Sequence, residues 1–363
     1  MPGPIAIALY AAGVSLAYIL RSTIVLFPLL RSEAHTSLSF PSTEFSGLRY
    51  WSLFVYFIIR SLVRRIPLFS PLAIPENEKD DTSVIPGPRI SLELPFQSSA
   101  ADIRRYARAA KTIDTDVYTS PLHLMLFLSA ATEPAMLLLL SKSICLVDPV
   151  GSVNVRNRFE ITNPGLLDQK LKGASISSQY QGSAKDQGWK LVARLDPNVI
   201  KVKKGWEVVI VIELVTTSGQ VLYRQFFTFL QFAKHKFPVT TTQSPKVTGM
   251  KQVGTVKMVD NDPGLWAGLS KDYNPIHFSG LLARMFGFKG KIGHGNHVLA
   301  KGLARLPEGI EIKGVGTMEV EFRRPVLVPS ELDIGLSAEG SREKGREITL
   351  GKDGKEHTIA QWR

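Results

Sequence analysis

The sequence holds one cysteine, Cys145, in 363 residues, which excludes an intramolecular disulfide and fits a reducing compartment. It has no zinc-finger spacing, no RNP-like strand and no basic repeat, so nucleic acid is not an expected partner. Acidic residues are missing before Glu33, and the first apolar run lacks the basic start of a secretory signal. The bulk composition is ordinary: 44% apolar residues are ample for one large core or two joined ones. The formal net charge is +12, yet residues 1–86 hold seven Lys and Arg against six Asp and Glu. The positive excess therefore sits in the body and suits an acidic ligand or partner.

Pro4 to Leu20 is a run of 17 uncharged residues, and the apolar character resumes from Thr23 to Leu30. Its length predicts an uncleaved membrane-anchoring helical segment. Gly47 to Phe69 sets Trp51, Phe54 and Phe57 between Arg49 and the group Arg60, Arg64, Arg65, the pattern of an interfacial basic helix or the return arm of a hairpin. Residues 1–70 are thus expected to be membrane anchor and interfacial helix. With the arginines following the first span, the positive-inside rule puts the body on the cytoplasmic side; a mitochondrial presequence is the alternative. Pro71 to Pro88 is polar and turn-rich, so residues 71–88 read as a linker that separates this part from the body.

In the body, Pro121 to Leu140 is strongly apolar, but Glu133-Pro134 in its middle argues for a buried helix, or two short ones, over a second span. Strand-like runs follow at Ser152–Ile161, Trp189–Leu195, Trp206–Thr216 and Val221–Gln231, with Ser218-Gly219 as a hairpin turn. A second set occupies Gly314–Val328, Glu331–Ser337, Arg346–Leu350 and His357–Trp362. The alternating segments Gly151–Phe159 and Gly314–Phe322 each follow an expected helix, which points to internal duplication.

The residues that carry chemistry cluster in Ser270-Lys-Asp-Tyr-Asn-Pro-Ile-His277 and Lys291-Ile-Gly-His-Gly-Asn296. Asn274-Pro275 signals a helix start, with Ile276, Leu281, Leu282, Met285 and Phe286 at helical spacing and Gly287 as the stop. Asp272 and His277 are five residues apart, so a tight turn can fold the carboxylate towards the imidazole, and this pair of side chains moves protons readily near neutral pH. Gly293-His294-Gly295 opens another helix, His297 to Leu306; an unpaired amide at Gly295, at the positive end of that helix, could steady an enolate-like anion. His294 and His297 alone do not make a metal set, because no Cys or paired carboxylate completes it, so no metal is expected.

These motifs resemble the MaoC-like, R-specific enoyl-thioester hydratases of the hot-dog fold, and the spacing of 23 positions from Asp272 to Gly295 agrees with that pattern. The resemblance covers about residues 89–363, with its specific motifs inside 269–297. It implies an α+β double hot-dog fold: a degenerate, acyl-binding repeat over 89–245 and a catalytic repeat over 246–363. It also implies Asp272 and His277 as the catalytic pair, Asn274 as a hydrogen-bonding residue beside them, and Gly295 as the donor to the thioester carbonyl. The expected reaction is reversible hydration of a trans-2-enoyl thioester to an (R)-3-hydroxyacyl thioester in fatty acid metabolism. The acyl group would ride on coenzyme A or an acyl carrier protein, with no further cofactor, and a homodimer is optional. Two positions depart from the pattern: Lys271 stands where the family usually has Gly, and Asn296 where it usually has Met. They favour the alternative, a non-catalytic hot-dog scaffold that binds acyl chains at a membrane. A thioesterase ranks low, because the expected helix His297–Leu306 contains no carboxylate.

Overall fold

The computed structural model describes residues 26–31, 33–45, 47–64, 84–167, 171, 188–232, 249–307, 310, 315–337 and 345–363. The expected anchor, Pro4–Leu20, and most of the expected linker lie outside the described residues.

After a single helical turn at Phe27–Leu30, the N-terminal part contains a short strand, β1 (His35–Ser37), and helix α1 (Gly47–Arg64). The body then runs β2 (Val84–Pro86), β3 (Ser91–Pro95), α2 (Ala100–Ala110), α3 (Pro121–Leu140), β4 (Ser152–Ile161), β5 (Lys190–Leu195), β6 (Asn198–Val202), β7 (Gly205–Val215) and β8 (Val221–Phe232). Its second half follows as β9 (Met250–Met258), α4 (Asp262–Ser270), α5 (Gly280–Met285), α6 (Gly295–Leu303), β10 (Thr317–Phe322), β11 (Ser330–Ser337), β12 (Arg346–Lys352) and β13 (Lys355–Trp362).

Local chemistry explains several of these boundaries. Ser99 and Asp102 form a reciprocal capping box at the start of α2. Ser120 accepts the His123 amide, and Pro121 takes the first position of α3, where its missing N–H costs nothing. In the β12–β13 hairpin Asp353 and Gly354 both have positive φ, 51° and 68°, the geometry a two-residue turn needs to match strand twist. Pro134 does not break α3, which runs unbroken for 20 residues. That helix is long and apolar enough to cross a bilayer, but almost all of it is buried inside the protein.

The main path of the sheet runs β1, β3, β5, β7, β8, β4, β10, β13, β12, β11, β9. Taken separately, the two halves have the same order: β3-β5-β7-β8-β4 in one and β9-β11-β12-β13-β10 in the other. The two segments whose alternation matched in the sequence pair with each other, antiparallel, at the middle of this sheet, from Thr317↔Glu160 to Glu321↔Arg156. Each half-sheet packs on a helix of its own half, α3 in the first and α6 in the second. The β4–β10 ladder fuses them.

Between the halves runs a buried chain of polar side chains. Asn157 Nδ2 on β4 donates to Asn296 Oδ1 at 3.0 Å, and Asn296 Nδ2 donates to Ser129 Oγ on α3 at 2.9 Å. Gln225 Nε2 donates to the same hydroxyl at 2.9 Å. The unexpected Asn296 therefore has a structural partner set, because it ties the start of α6 to both the sheet and the helix of the other half.

Several expectations need correction. The N-terminal part does not stand apart from the body. Leu26 and Leu29 belong to the core, and α1 buries Tyr50, Leu53, Phe54 and Phe57. Its Arg60 donates to the carbonyls of Lys142 and Val147 at 2.8 and 3.0 Å. Lifting α1 away would return these apolar side chains to water and leave both carbonyls without their donor, so the helix packs onto the body despite its interfacial composition. The end of the expected linker, Val84–Pro86, is a strand paired with β6. The single helix expected after Asn274 is two elements, a 3-10 turn at Pro275–His277 and then α5, because Ser279 supplies a fresh cap to the Leu282 amide. Leu281 and Met285, which share the apolar spacing of that stretch, face outward and are 70% and 74% exposed.

Replacing Asn296 by Leu leaves Asn157 and Ser129 each short of a buried partner and should lower stability by about 1–3 kcal/mol. Urea unfolding of the variant checks this, and an unchanged midpoint would rule out a stabilising role for the polar chain.

Candidate active site

The site is assembled by two turns that are separate in sequence and in contact in the structure. The first turn follows α4. Lys271 ends that helix in the left-handed conformation, φ 59°, with its amide on the Ala267 carbonyl and its Nζ donating to the Gly268 carbonyl at 2.7 Å. The position usually held by glycine does need positive φ, and here a lysine tethered to the carbonyl end of its own helix fills it. Asp272 then turns inward. The Asn274 amide donates to Asp272 Oδ1 at 3.0 Å, while Asn274 Oδ1 accepts from the Ile276 amide at 3.3 Å. Asn274 therefore positions the carboxylate through its backbone and caps the turn that carries His277 with its side chain.

Nε2 of His277 lies 3.7 Å from Asp272 Oδ2, beyond direct hydrogen bonding but within reach of a shared water. On the other ring nitrogen, Nδ1, His277 meets the Ile292 carbonyl at 2.9 Å. An imidazole that donates Nδ1–H there leaves the Nε2 lone pair for the site. His294 completes the cluster. Its ring stacks on that of His277, centroids 3.6 Å apart and planes 24° apart, and its Nε2 lies 3.2 Å from the Asp272 carbonyl oxygen. Burial holds His277 below the usual imidazole value, against the pull of Asp272 and the Ile292 carbonyl. Burial, then the neighbouring rings of His277 and His297, push His294 further down. Both rings are thus neutral at pH 7.

Gly295 is the first residue of α6, where the amide has no partner within the helix. It lines the same cavity as Asp272 and His277. A Cβ at this position would sit 2.5 Å from the Phe322 ring, so only glycine lets the amide stand this close to the cavity wall. The four residues expected to form the site, Asp272, Asn274, His277 and Gly295, all line one cavity of about 570 Å³.

His297, the other histidine of this stretch, faces away. Its Nε2 meets the Ala109 carbonyl at 2.9 Å and its ring stacks on Trp266, and burial lowers it to about 4. A cation could instead be offered ligands by Asp272, His277 and His294, whose candidate atoms lie within 4.8 Å of one another.

Two further residues enter from the first half of the chain. Tyr50 of α1 lines the cavity, and burial followed by the charge of Asp272 raises its phenol well above the usual value. Glu133 of α3 lines it as well, with Oε2 unpartnered. Burial and then Asp272 raise its carboxyl well above the usual range, with the Trp266 indole opposing them. The signal for Glu133 was present in the sequence as one charge inside an otherwise uncharged helix. For Tyr50 there was none. Much of the apolar wall comes from Met136, Leu137 and Leu140 of α3, Phe54 and Phe57 of α1, and Phe229 of β8, while Lys204 and Arg324 add positive charge and that of Arg323 is met by Glu321 and Glu356.

Fold and site together define a double hot-dog protein with an acid, an imidazole and a helix N-terminus on one cavity. Residues 235–360 match the family model described as MaoC like domain, and that part of the chain is a MaoC-like domain. Among curated proteins, 3-hydroxyacyl-thioester dehydratase X of Mycobacterium tuberculosis is 28% identical over 146 residues, 38% of this chain and 48% of the relative. The chain thus matches about half the length of that relative. The crystal structure of HtdX from the same organism superposes with a TM-score of 0.53 at 22% identity, covering 76% of this chain and 99% of that one. A MaoC-like dehydratase from Phytophthora capsici gives a TM-score of 0.54 at 16% identity, covering 76% and 95%. At these identities the two structures speak for the fold.

A carboxyl with a raised value keeps its proton in the folded protein at a pH where the unfolded chain has lost it. The contribution of Glu133 to stability is therefore full below its ordinary value of 4.5 and declines as pH rises towards the folded one. Glu133→Gln should melt higher than the parent at pH 7, with the gap closing as pH falls to 4.5. Thermal unfolding across that range tests it; a constant gap would mean Glu133 is not held protonated.

Proposed function

We propose that this chain catalyses the reversible addition of water to a trans-2-enoyl thioester, giving the (R)-3-hydroxyacyl thioester. The observation that carries the reading is the meeting of Asp272 and His277, 3.7 Å apart, beside the N-terminus of α6 in a cavity with a long apolar wall. In hydration, a water held between Asp272 Oδ2 and His277 Nε2 loses a proton to the pair as its oxygen bonds to C3. Electrons of the C2–C3 double bond move towards the thioester carbonyl, where the Gly295 amide holds the negative oxygen. The pair then returns a proton to C2. Dehydration is the same path reversed, and asks for no bound metal or redox group.

The R configuration rests on the family resemblance. Coenzyme A or an acyl carrier protein suits the cations at Lys204 and Arg324. Anchoring through residues 4–20, with the body on the cytoplasmic side, belongs to the same proposal and rests on the sequence.

The full chain is the right material, since α1 forms part of the cavity wall and a truncated chain beginning near residue 87 would lack it. Incubated with a trans-2-enoyl-CoA, it should bleach the ultraviolet absorbance of the conjugated thioester. Asp272→Asn and His277→Gln should each slow this by about 10²–10⁴-fold. A chelator should leave the rate unchanged. Persistence of the absorbance in the parent protein would favour the non-catalytic, acyl-binding alternative.

The rate should also fall in acid. His277 must be neutral to share the proton, and its value lies below the ordinary 6.5. Turnover per substrate bound should therefore be flat around pH 7 and drop only below 6.5; a pH-rate profile already falling at pH 7 would count against His277 in this role.

A further inference from the structure

Two elements that wall the cavity on their inner sides are apolar on their outer sides as well. Helix α1 turns Tyr50, Phe54 and Phe57 to the cavity and leaves Trp51, Val55, Ile59 and Leu62 about half exposed, at 47%, 53%, 54% and 56%. Their spacing of three and four residues makes one stripe along the helix. The segment around α5 sends Phe286 to the cavity and exposes Phe278, Leu281 and Met285. The two surfaces are neighbours. The Tyr273 ring stands 5.9 Å from that of Tyr50 and 6.1 Å from that of Phe278, which joins Trp51 to Phe278 through a run of aromatic contacts.

We propose that this pair of outer faces docks on an anionic lipid bilayer, so that the acyl cavity is walled by the elements lying at the membrane surface. Charge selects the occupant. Gly47–Arg64 and Phe278–Lys289 contain no Asp or Glu, while Arg284 and Lys289 are exposed beside Leu281 and Met285. A second copy on this surface would set like charges together, whereas phosphate headgroups complement them and the apolar side chains enter the acyl boundary. The uncharged run Pro4–Leu20 precedes α1 by 27 residues, consistent with a chain that meets lipid before it reaches this helix.

The experiment uses the full chain and its own fluorescence. Trp51 is exposed, while Trp189, Trp206, Trp266 and Trp362 are all at 5% or below. Vesicles of phosphatidylcholine and phosphatidylglycerol with brominated acyl chains should quench the part of the emission that Trp51→Phe removes. Added salt and the loss of phosphatidylglycerol should weaken the quenching. Val55→Glu with Ile59→Glu, or Leu281→Glu with Met285→Glu, should reduce it too, with turnover of a short soluble enoyl thioester unchanged. Co-sedimentation with vesicles without quenching of Trp51 would overturn the proposal in favour of attachment through residues 1–25 alone. Concentration-dependent dimers that shield Trp51 without lipid would overturn it in favour of a second copy. Quenching is read independently of turnover, so an inactive protein that docks separates this inference from the hydratase reading.

Discussion

The ladder between β4 and β10 is the contact on which the rest of the structure depends. Neither half has a complete cavity. The second half brings Asp272, His277 and Gly295, and the first brings α3, whose Glu133 and apolar side chains form the opposite wall. Five aligned residue pairs at the centre of the sheet set the halves in register, and Asn296 then reaches across to Asn157 and Ser129. A one-residue slip would turn every inward side chain of these strands outward, so the register is held by burial on both sides of the joint.

Burial also sets the chemistry. Taking His277 and His294 out of water, and stacking one on the other, makes a positive charge expensive on either ring. The same exclusion of water strengthens the unpaired amide of Gly295, whose dipole would be screened at an open surface. The two departures from the family pattern fit into this arrangement without disturbing it. Lys271 adopts the backbone conformation that glycine normally supplies and secures its side chain on a helix carbonyl, while Asn296 points into the polar chain between the halves.

Much of the fold was readable because its signals are local. The alternation of Ser152–Ile161 gave that strand to the residue, and Ser218-Gly219 placed the β7–β8 hairpin by turn chemistry alone. Elements whose sequence argues against them were missed. Helix α4 contains Pro263, Gly264 and Gly268, and is held by the burial of Trp266 and Leu269. Strand β9 has Gly254 near its centre and polar side chains on its open face, and it forms because β11 pairs with it along its length. In α5 the helical spacing was real, but the apolar stripe it described faces outward at Leu281 and Met285.

The sequence by itself determined that Asp272 and His277 share one short turn, since an Asx turn and a proline fold this stretch back on itself. It also determined the free amide at Gly295, which any helix beginning there would present. Only the tertiary structure decided that Glu133 and Tyr50 share this cavity, that His294 stacks on His277 while His297 turns to Ala109, and that α1 is a wall of the site. These depend on which buried surfaces meet between distant stretches of chain, and the free energy of that meeting belongs to both partners, not to either stretch read alone.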